Sequence, residues 1–298
     1  MKKILISGLV NTETTARVRQ FPINYYPIDY PYFGVNTAAS GVAFNIAKAL
    51  KTLGDDVMLH SMTGSDFTAE YIKNELTSVG IDTGNLKSCL KETPSSVVLY
   101  DESGRRQIYC DLKDIQETSC GFAPDCCDGV DLVVACNINF NRELLPIAKA
   151  AGKEIATDVH VFSNVYDDYN RDFLEYSDIL FLSDEGIGDD YGRFLWELAH
   201  AYNQKVIVLG RGGKGAAMYL RDFDEIFELP AVRVGEVVNT VGAGDALFSA
   251  FVHYYAKGFD PFEALRGAQI FASAKIRVSG AAKGFITEEE VEAIRSWN

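Results

Sequence analysis

The stretch Asn239-Thr240-Val241-Gly242-Ala243-Gly244-Asp245, which opens into an apolar run, holds the residues best suited to chemistry in this chain. Two glycines let the backbone turn sharply and approach a ligand closely. A helix starting there aims free N–H groups and the positive end of its dipole at the same spot, where an anion or a developing negative charge is stabilised. Asp245, in that turn, can accept a proton from a hydroxyl docked in front of it. Phosphoryl transfer needs this pairing of an anion cradle with a positioned base. The bland alternative is a tight turn with an acidic residue at a helix start, worth only about 0.3–1 kcal/mol, and the turn alone favours it.

The elements that must hold this turn follow from periodicity. Short apolar runs at 3–8, 57–62, 131–136, 154–159, 178–183 and 205–210 have the length and continuity of buried strands. Helix-period segments Phe44–Leu53, Ala69–Val79, Arg142–Ala151, Asp172–Tyr176 and Tyr191–Tyr202 lie between several of them. This alternation predicts an α/β fold with a mostly parallel central sheet covered on both faces. From Asp245 onward the chain reads as helical, ending in a short helix with Thr287 as N-cap. Two stretches break the rhythm. Residues 14–38 are rich in aromatics and proline, and 93–112 hold two alternating runs about a Ser103-Gly104 turn, a hairpin pattern. Together they predict a small β lid on a single domain spanning 1–298, its aromatic cluster covering the ligand and excluding water.

Composition narrows the partners. The chain has 298 residues with 47% hydrophobic content and a net charge of −14, so neither nucleic acid nor an anionic membrane is an expected partner. No apolar run reaches the ~18 residues of a membrane span. The opening apolar run is about seven residues, too short for an export signal, and it reads as a first buried strand. The six cysteines form no C-x-x-C pair and the four histidines are scattered, which argues against zinc and for reduced thiols in a cytoplasm. Gly210-Arg211-Gly212-Gly213-Lys214-Gly215 fits a G-x-G-x-x-G pattern. The residues after it alternate like a strand, whereas a dinucleotide site needs a helix there. No Walker A sequence and no G-x-S-x-G occur.

Asn239–Asp245 resembles the D-T-x-G-A-G-D signature of the PfkB (ribokinase-like) sugar kinases. Ser40-Gly41-Val42-Ala43-Phe44-Asn45-Ile46-Ala47 is similar to that family's G-G-x-x-x-N-x-A element. Thr63–Asp66, Asp101–Arg105 and Gly212–Ala216 resemble further family pieces in family order, so the resemblance spans essentially the whole chain. It implies a three-layer ribokinase-like sandwich and ATP-dependent phosphorylation of a sugar or sugar-like hydroxyl with Mg²⁺. It implies Asp245 as base, with Gly242, Ala243 and Gly244 as the anion hole. Glu13, Gly41 and Asn45 would bind the acceptor, while Gly212, Gly215, Thr240, Gln269 and Ser273 would meet the nucleotide. A homodimer through paired lids is expected alongside a monomer.

Departures from the family pattern carry expectations of their own. Asn239 stands where the family has Asp at a position that helps ligate a monovalent cation, so potassium activation is in question at this residue. Ser183-Asp184-Glu185-Gly186 replaces N-x-x-E, with Asp184 or Glu185 as substitutes; Gly210 replaces a Thr, Glu13 an Asp and Ser40 a Gly. Arg105 and Arg106 read as a solvated hairpin flank. The alternatives are a nucleoside kinase of the same fold, or a catalytically weak sugar- or nucleoside-binding homologue.

Overall fold

The computed structural model describes residues 1–103 and 105–296, so Gly104 of the expected hairpin turn lies outside the described residues. In chain order the elements are β1 (Lys3–Ser7), β2 (Asn11–Arg17), β3 (Val35–Ser40), α1 (Val42–Thr52), β4 (Asp56–Thr63), α2 (Phe67–Ser78) and β5 (Leu86–Ser88). There follow β6 (Ser95–Tyr100), β7 (Arg106–Asp111), β8 (Leu132–Ala135), α3 (Leu144–Ala150), β9 (Glu154–Val161), α4 (Arg171–Tyr176), β10 (Ile179–Ser183) and α5 (Tyr191–Ala201). The chain ends with β11 (Val206–Gly210), β12 (Ala216–Leu220), β13 (Glu225–Leu229), α6 (Ala243–Ala256), α7 (Pro261–Lys275) and α8 (Glu288–Arg295).

Nine strands make the main sheet in the order β13-β12-β11-β10-β9-β8-β1-β4-β5, all running one way except β12, which pairs antiparallel with both β11 and β13. Its inner strands are buried on both sides, and each alternate residue serves a different core. Ile4, Ile6, Val134 and Phe181 pack with α1, α6 and α7 on one face; Leu5, Val133, Leu180 and Leu182 pack with α3, α4 and α5 on the other. The result is the expected three-layer α/β sandwich. The strand order reverses between β1 and β8, since β4 and β5 extend to one side of β1 while β8 to β11 extend to the other. Loops leaving the carboxyl ends there diverge and leave a crevice, the usual ligand position in open α/β sheets.

The lid is a separate four-stranded sheet, β3-β2-β6-β7, rooted just past the carboxyl end of β1. The hairpin expected at 93–112 is β6–β7. Of the aromatic-rich segment, only the ends are strand, and they pair as β2 and β3. The loop between them projects from the lid tip with Tyr25 at 88%, Tyr32 at 77% and Phe33 at 101% exposure. The expected covering role is not seen for these three rings, which lie open to solvent. Thr287 caps α8 as expected, and it does so in a reciprocal capping box with Glu290. Among the described residues no helix is long and apolar enough to cross a membrane.

Candidate active site

On the β8 side of that switch point, a cleft of about 1110 Å³ opens at the carboxyl edge of β9, β10 and β11, roofed by the loop from Ala231 to Thr240. Its floor is the start of α6. Whereas α2, α7 and α8 begin with side-chain caps from Asp66, Asp260 and Thr287, α6 begins at Gly242 with no side-chain cap. Its first N–H groups are therefore left for a ligand. Gly242 sits at φ 76°, and a Cβ there would lie 2.6 Å from the Ala281 carbonyl oxygen, so the turn requires glycine. One of the three expected donors is corrected: the Ala243 N–H donates to the Thr240 carbonyl at 3.1 Å and closes the turn. Gly242 and Gly244 keep N–H groups without a partner among the described residues.

Asp245 lies in the first turn of α6 and lines the cleft. Burial pushes its carboxyl above the ordinary range; His160, a hydrogen bond from Asn45 and Lys275 oppose that rise, while Asp158 adds to it. Asn45 Nδ2 donates to Asp245 Oδ2 at 2.7 Å. Asn45 sits on α1, whose N-cap Gly41 adopts φ 103°. Gly41 and Asn45 do not line the nucleotide-sized cleft, nor does Glu13; they lie on the lid side of Asp245. Burial raises the Glu13 carboxyl, Asp245 raises it further, and Arg106 and Lys275 pull it down.

The other expected residues divide by task. Gly212, Gly215, Thr240, Gln269 and Ser273 all line the cleft. Ser273 Oγ accepts from Val234 N at 2.9 Å and braces the roof loop, while Gln269 Nε2 donates to the Leu229 carbonyl at 3.4 Å and ties α7 to the end of β13. Asn239 turns inward, its Oδ1 accepting from Val241 N at 2.7 Å. Ser183 and Glu185 line the cleft wall and Asp184 does not. The two lid arginines separate: Arg105 is tied to Asp101 at 3.1 Å, while Arg106 reaches the cleft wall.

Residues not singled out from the sequence complete the site. Asp158 and His160, at the carboxyl end of β9, lie with Asp245 so that one ligand atom from each falls within 4.8 Å of the others. Asp158 Oδ1 accepts the His160 N–H at 2.8 Å, and Oδ2 lies 3.5 Å from Nδ1. His160 takes a left-handed φ of 58°, where the β9–β10 register slips, and the irregularity turns its ring into the cleft. Burial pulls the imidazole down, but Asp158 and Asp245 outweigh it and raise it to about 9. On the lid side, Asn11 precedes Glu13 by one strand repeat and donates to Ser96 Oγ at 3.2 Å. The side-chain oxygens of Asn11 and Asn45 are buried and have no hydrogen-bond partner among the described residues. The signal for Asp158 and His160 was their place at the carboxyl end of β9, and for Asn11 its place as the first residue of β2, both legible only once the strand order is known.

A family model described as pfkB family carbohydrate kinase matches residues 1–288. A fructosamine kinase of Bacillus subtilis is 26% identical over 250 residues, covering 81% of this chain and 84% of its own. A nucleoside kinase of Methanocaldococcus jannaschii is 24% identical over 280 residues, covering 87% and 85%. Among solved structures, a microbiome-derived acarbose kinase superposes with a TM-score of 0.87 at 22% identity over 99% of both chains.

Proposed function

Because the chain belongs to the pfkB family of carbohydrate kinases, we propose that it moves the γ-phosphoryl of ATP to a hydroxyl of a sugar or nucleoside, with Asp245 as the base. The observation that carries this reading is the carboxylate of Asp245 beside the uncapped first turn of α6, at the floor of a nucleotide-sized cleft. ATP lies along the cleft over Gly212 and Gly215, with Thr240, Gln269 and Ser273 around it. The Gly242 and Gly244 N–H groups receive the charge that builds on the transferring phosphoryl.

On the lid side, the unpaired oxygens of Asn11 and Asn45 and the carboxyl of Glu13 are acceptors that call for donor hydroxyls. This supports a polyhydroxyl acceptor, a sugar ring or the ribose of a nucleoside. Asp245 takes the proton of the docked hydroxyl as its oxygen attacks in line. His160, cationic beside Asp158, favours the ionised form of that base. Mg²⁺ suits the oxygen donors Ser183 and Glu185 on the cleft wall, where it would neutralise phosphate charge. The fructosamine and nucleoside kinase relatives support both acceptor classes.

ATP use and reduced thiols support a cytoplasmic setting. The outer lid face exposes Val35, Val97 and Tyr109, which supports a homodimer through paired lids; sedimentation velocity checks it. The function itself is tested by ATP consumption against a panel of ketoses, aldoses, amino-sugar adducts and nucleosides, with phosphorylated product identified by mass. ATP turnover that depends on a polyhydroxyl acceptor is expected; no phosphorylated product from any member sinks the reading.

A further inference from the structure

Lys275, the last residue of α7, is fully buried, at 0% exposure. No direct ion pair among the described residues includes it, although Asp245 and Glu13 are close enough to act on its charge, and a buried ammonium needs a hydrogen-bond acceptor. Its Nζ donates instead to the carbonyl oxygen of Val241. That carbonyl and the Gly242 N–H belong to one peptide group and point opposite ways. An ammonium on the oxygen therefore fixes the plane of the peptide and increases the positive character of the Gly242 N–H, which is left free for an anion.

The surrounding contacts make the same loop rigid. Asn239 Oδ1 accepts from Val241 N at 2.7 Å, and the N–H groups of Val238 and Asn239 donate to the Ile276 carbonyl at 2.9 and 3.0 Å. A separate monovalent cation does not fit beside Asn239: the side chain is neutral, its oxygen serves Val241, and the adjacent carbonyl already holds an ammonium. We propose that Lys275 is a built-in cation, a positioning residue that orients and polarises the Val241–Gly242 peptide for phosphoryl transfer, so that the enzyme needs no added monovalent ion. The proposal rests on the kinase reading above. Burial lowers the Lys275 ammonium to about 8 against the pull of Asp245 and Glu13, which still leaves it protonated at neutral pH.

The test has two readouts. The first is ATP turnover at constant ionic strength with potassium, sodium or tetramethylammonium as the only monovalent cation. Wild type is expected to turn over equally in all three. Lys275→Met, which fills the volume without the charge, is expected to lose about 10-fold or more in kcat with little change in acceptor KM. Lys275→Ala is expected to regain part of that loss with ammonium or methylammonium, and none with tetramethylammonium. The second readout is calorimetric binding of ADP with Mg²⁺ and aluminium fluoride, which reports on the anion site without turnover; the Met variant should bind about 10-fold more weakly or worse. A potassium requirement in wild type, or wild-type kcat and binding in a folded Lys275→Met, overturns the proposal while leaving the kinase reading intact. Tight cation-independent binding without turnover on any acceptor sinks the kinase reading alone. A wild type that binds no nucleotide sinks both.

Discussion

Asn45 Nδ2 lies 2.7 Å from Asp245 Oδ2, joining residues 200 positions apart. The bond exists because α1 and α6 pack side by side on one face of the sheet, with Gly41 starting the first helix and Gly242 the second at the same edge. The amide stabilises the carboxylate and partly offsets the burial that raises it. A general base works only when deprotonated. Removing the bond in Asn45→Ala therefore raises the Asp245 value, and the acid limb of the kcat/KM profile moves to higher pH. The loss relative to wild type is larger at pH 6 than at pH 8.5; an unmoved acid limb contradicts the assignment.

Asp245→Asn keeps the shape and removes the base. Turnover should drop by about 10²-fold or more, the range for losing general-base catalysis. Calorimetric binding of the nucleotide should survive. Full turnover in this variant would falsify the mechanism.

His160 gives a pH-dependent contribution to stability whose sign is set by its raised value. The folded value, about 9, exceeds the ordinary 6.5, so the stabilisation is fully present below pH 6.5 and is lost as pH rises through about 9. Thermal melts of wild type and His160→Gln should differ at pH 6 and converge above about pH 9.5. A gap that persists at high pH assigns the effect to packing.

Gly242→Ala forces a side chain into φ 76° and sets its Cβ 2.6 Å from the Ala281 carbonyl oxygen. Backbone strain of this kind costs about 1–3 kcal/mol, and the close contact adds to it. The urea midpoint should fall, and turnover should fall further than stability explains, because the peptide carrying a free N–H has moved. Wild-type values of both would mean that the turn is not held as described.

Asp55 and His253 form a control away from the reaction. Their side chains are 1% and 2% exposed, and His253 Nδ1 lies 2.7 Å from Asp55 Oδ2, about two turns along α6 from Asp245. Asp55→Ala leaves a buried imidazole without that partner and should cost about 3 kcal/mol in chemical denaturation. The kcat of the folded fraction should stay at the wild-type level; a selective kcat loss would mean that this pair acts on the base.

The amino-acid sequence by itself determined the parallel strands, the β6–β7 hairpin, the capped last helix and the glycine turn that opens α6. Each is written in a short window: apolar runs, alternation, a Thr287–Glu290 spacing, two glycines before Asp245. The same local reading sent the aromatic loop over the ligand, and the family resemblance enlisted the Ala243 N–H as a donor. The fold turned those rings to solvent and spent that N–H on Thr240, because strand direction and turn closure are settled by neighbours. Only the tertiary structure brought Asp158, His160 and Lys275 close to Asp245. Nothing within a few residues of them marks a site, since their electrostatic effect depends on distances set by strand order and helix packing. Charge acts through space, and the chain's own order carries no record of which distant groups will share it.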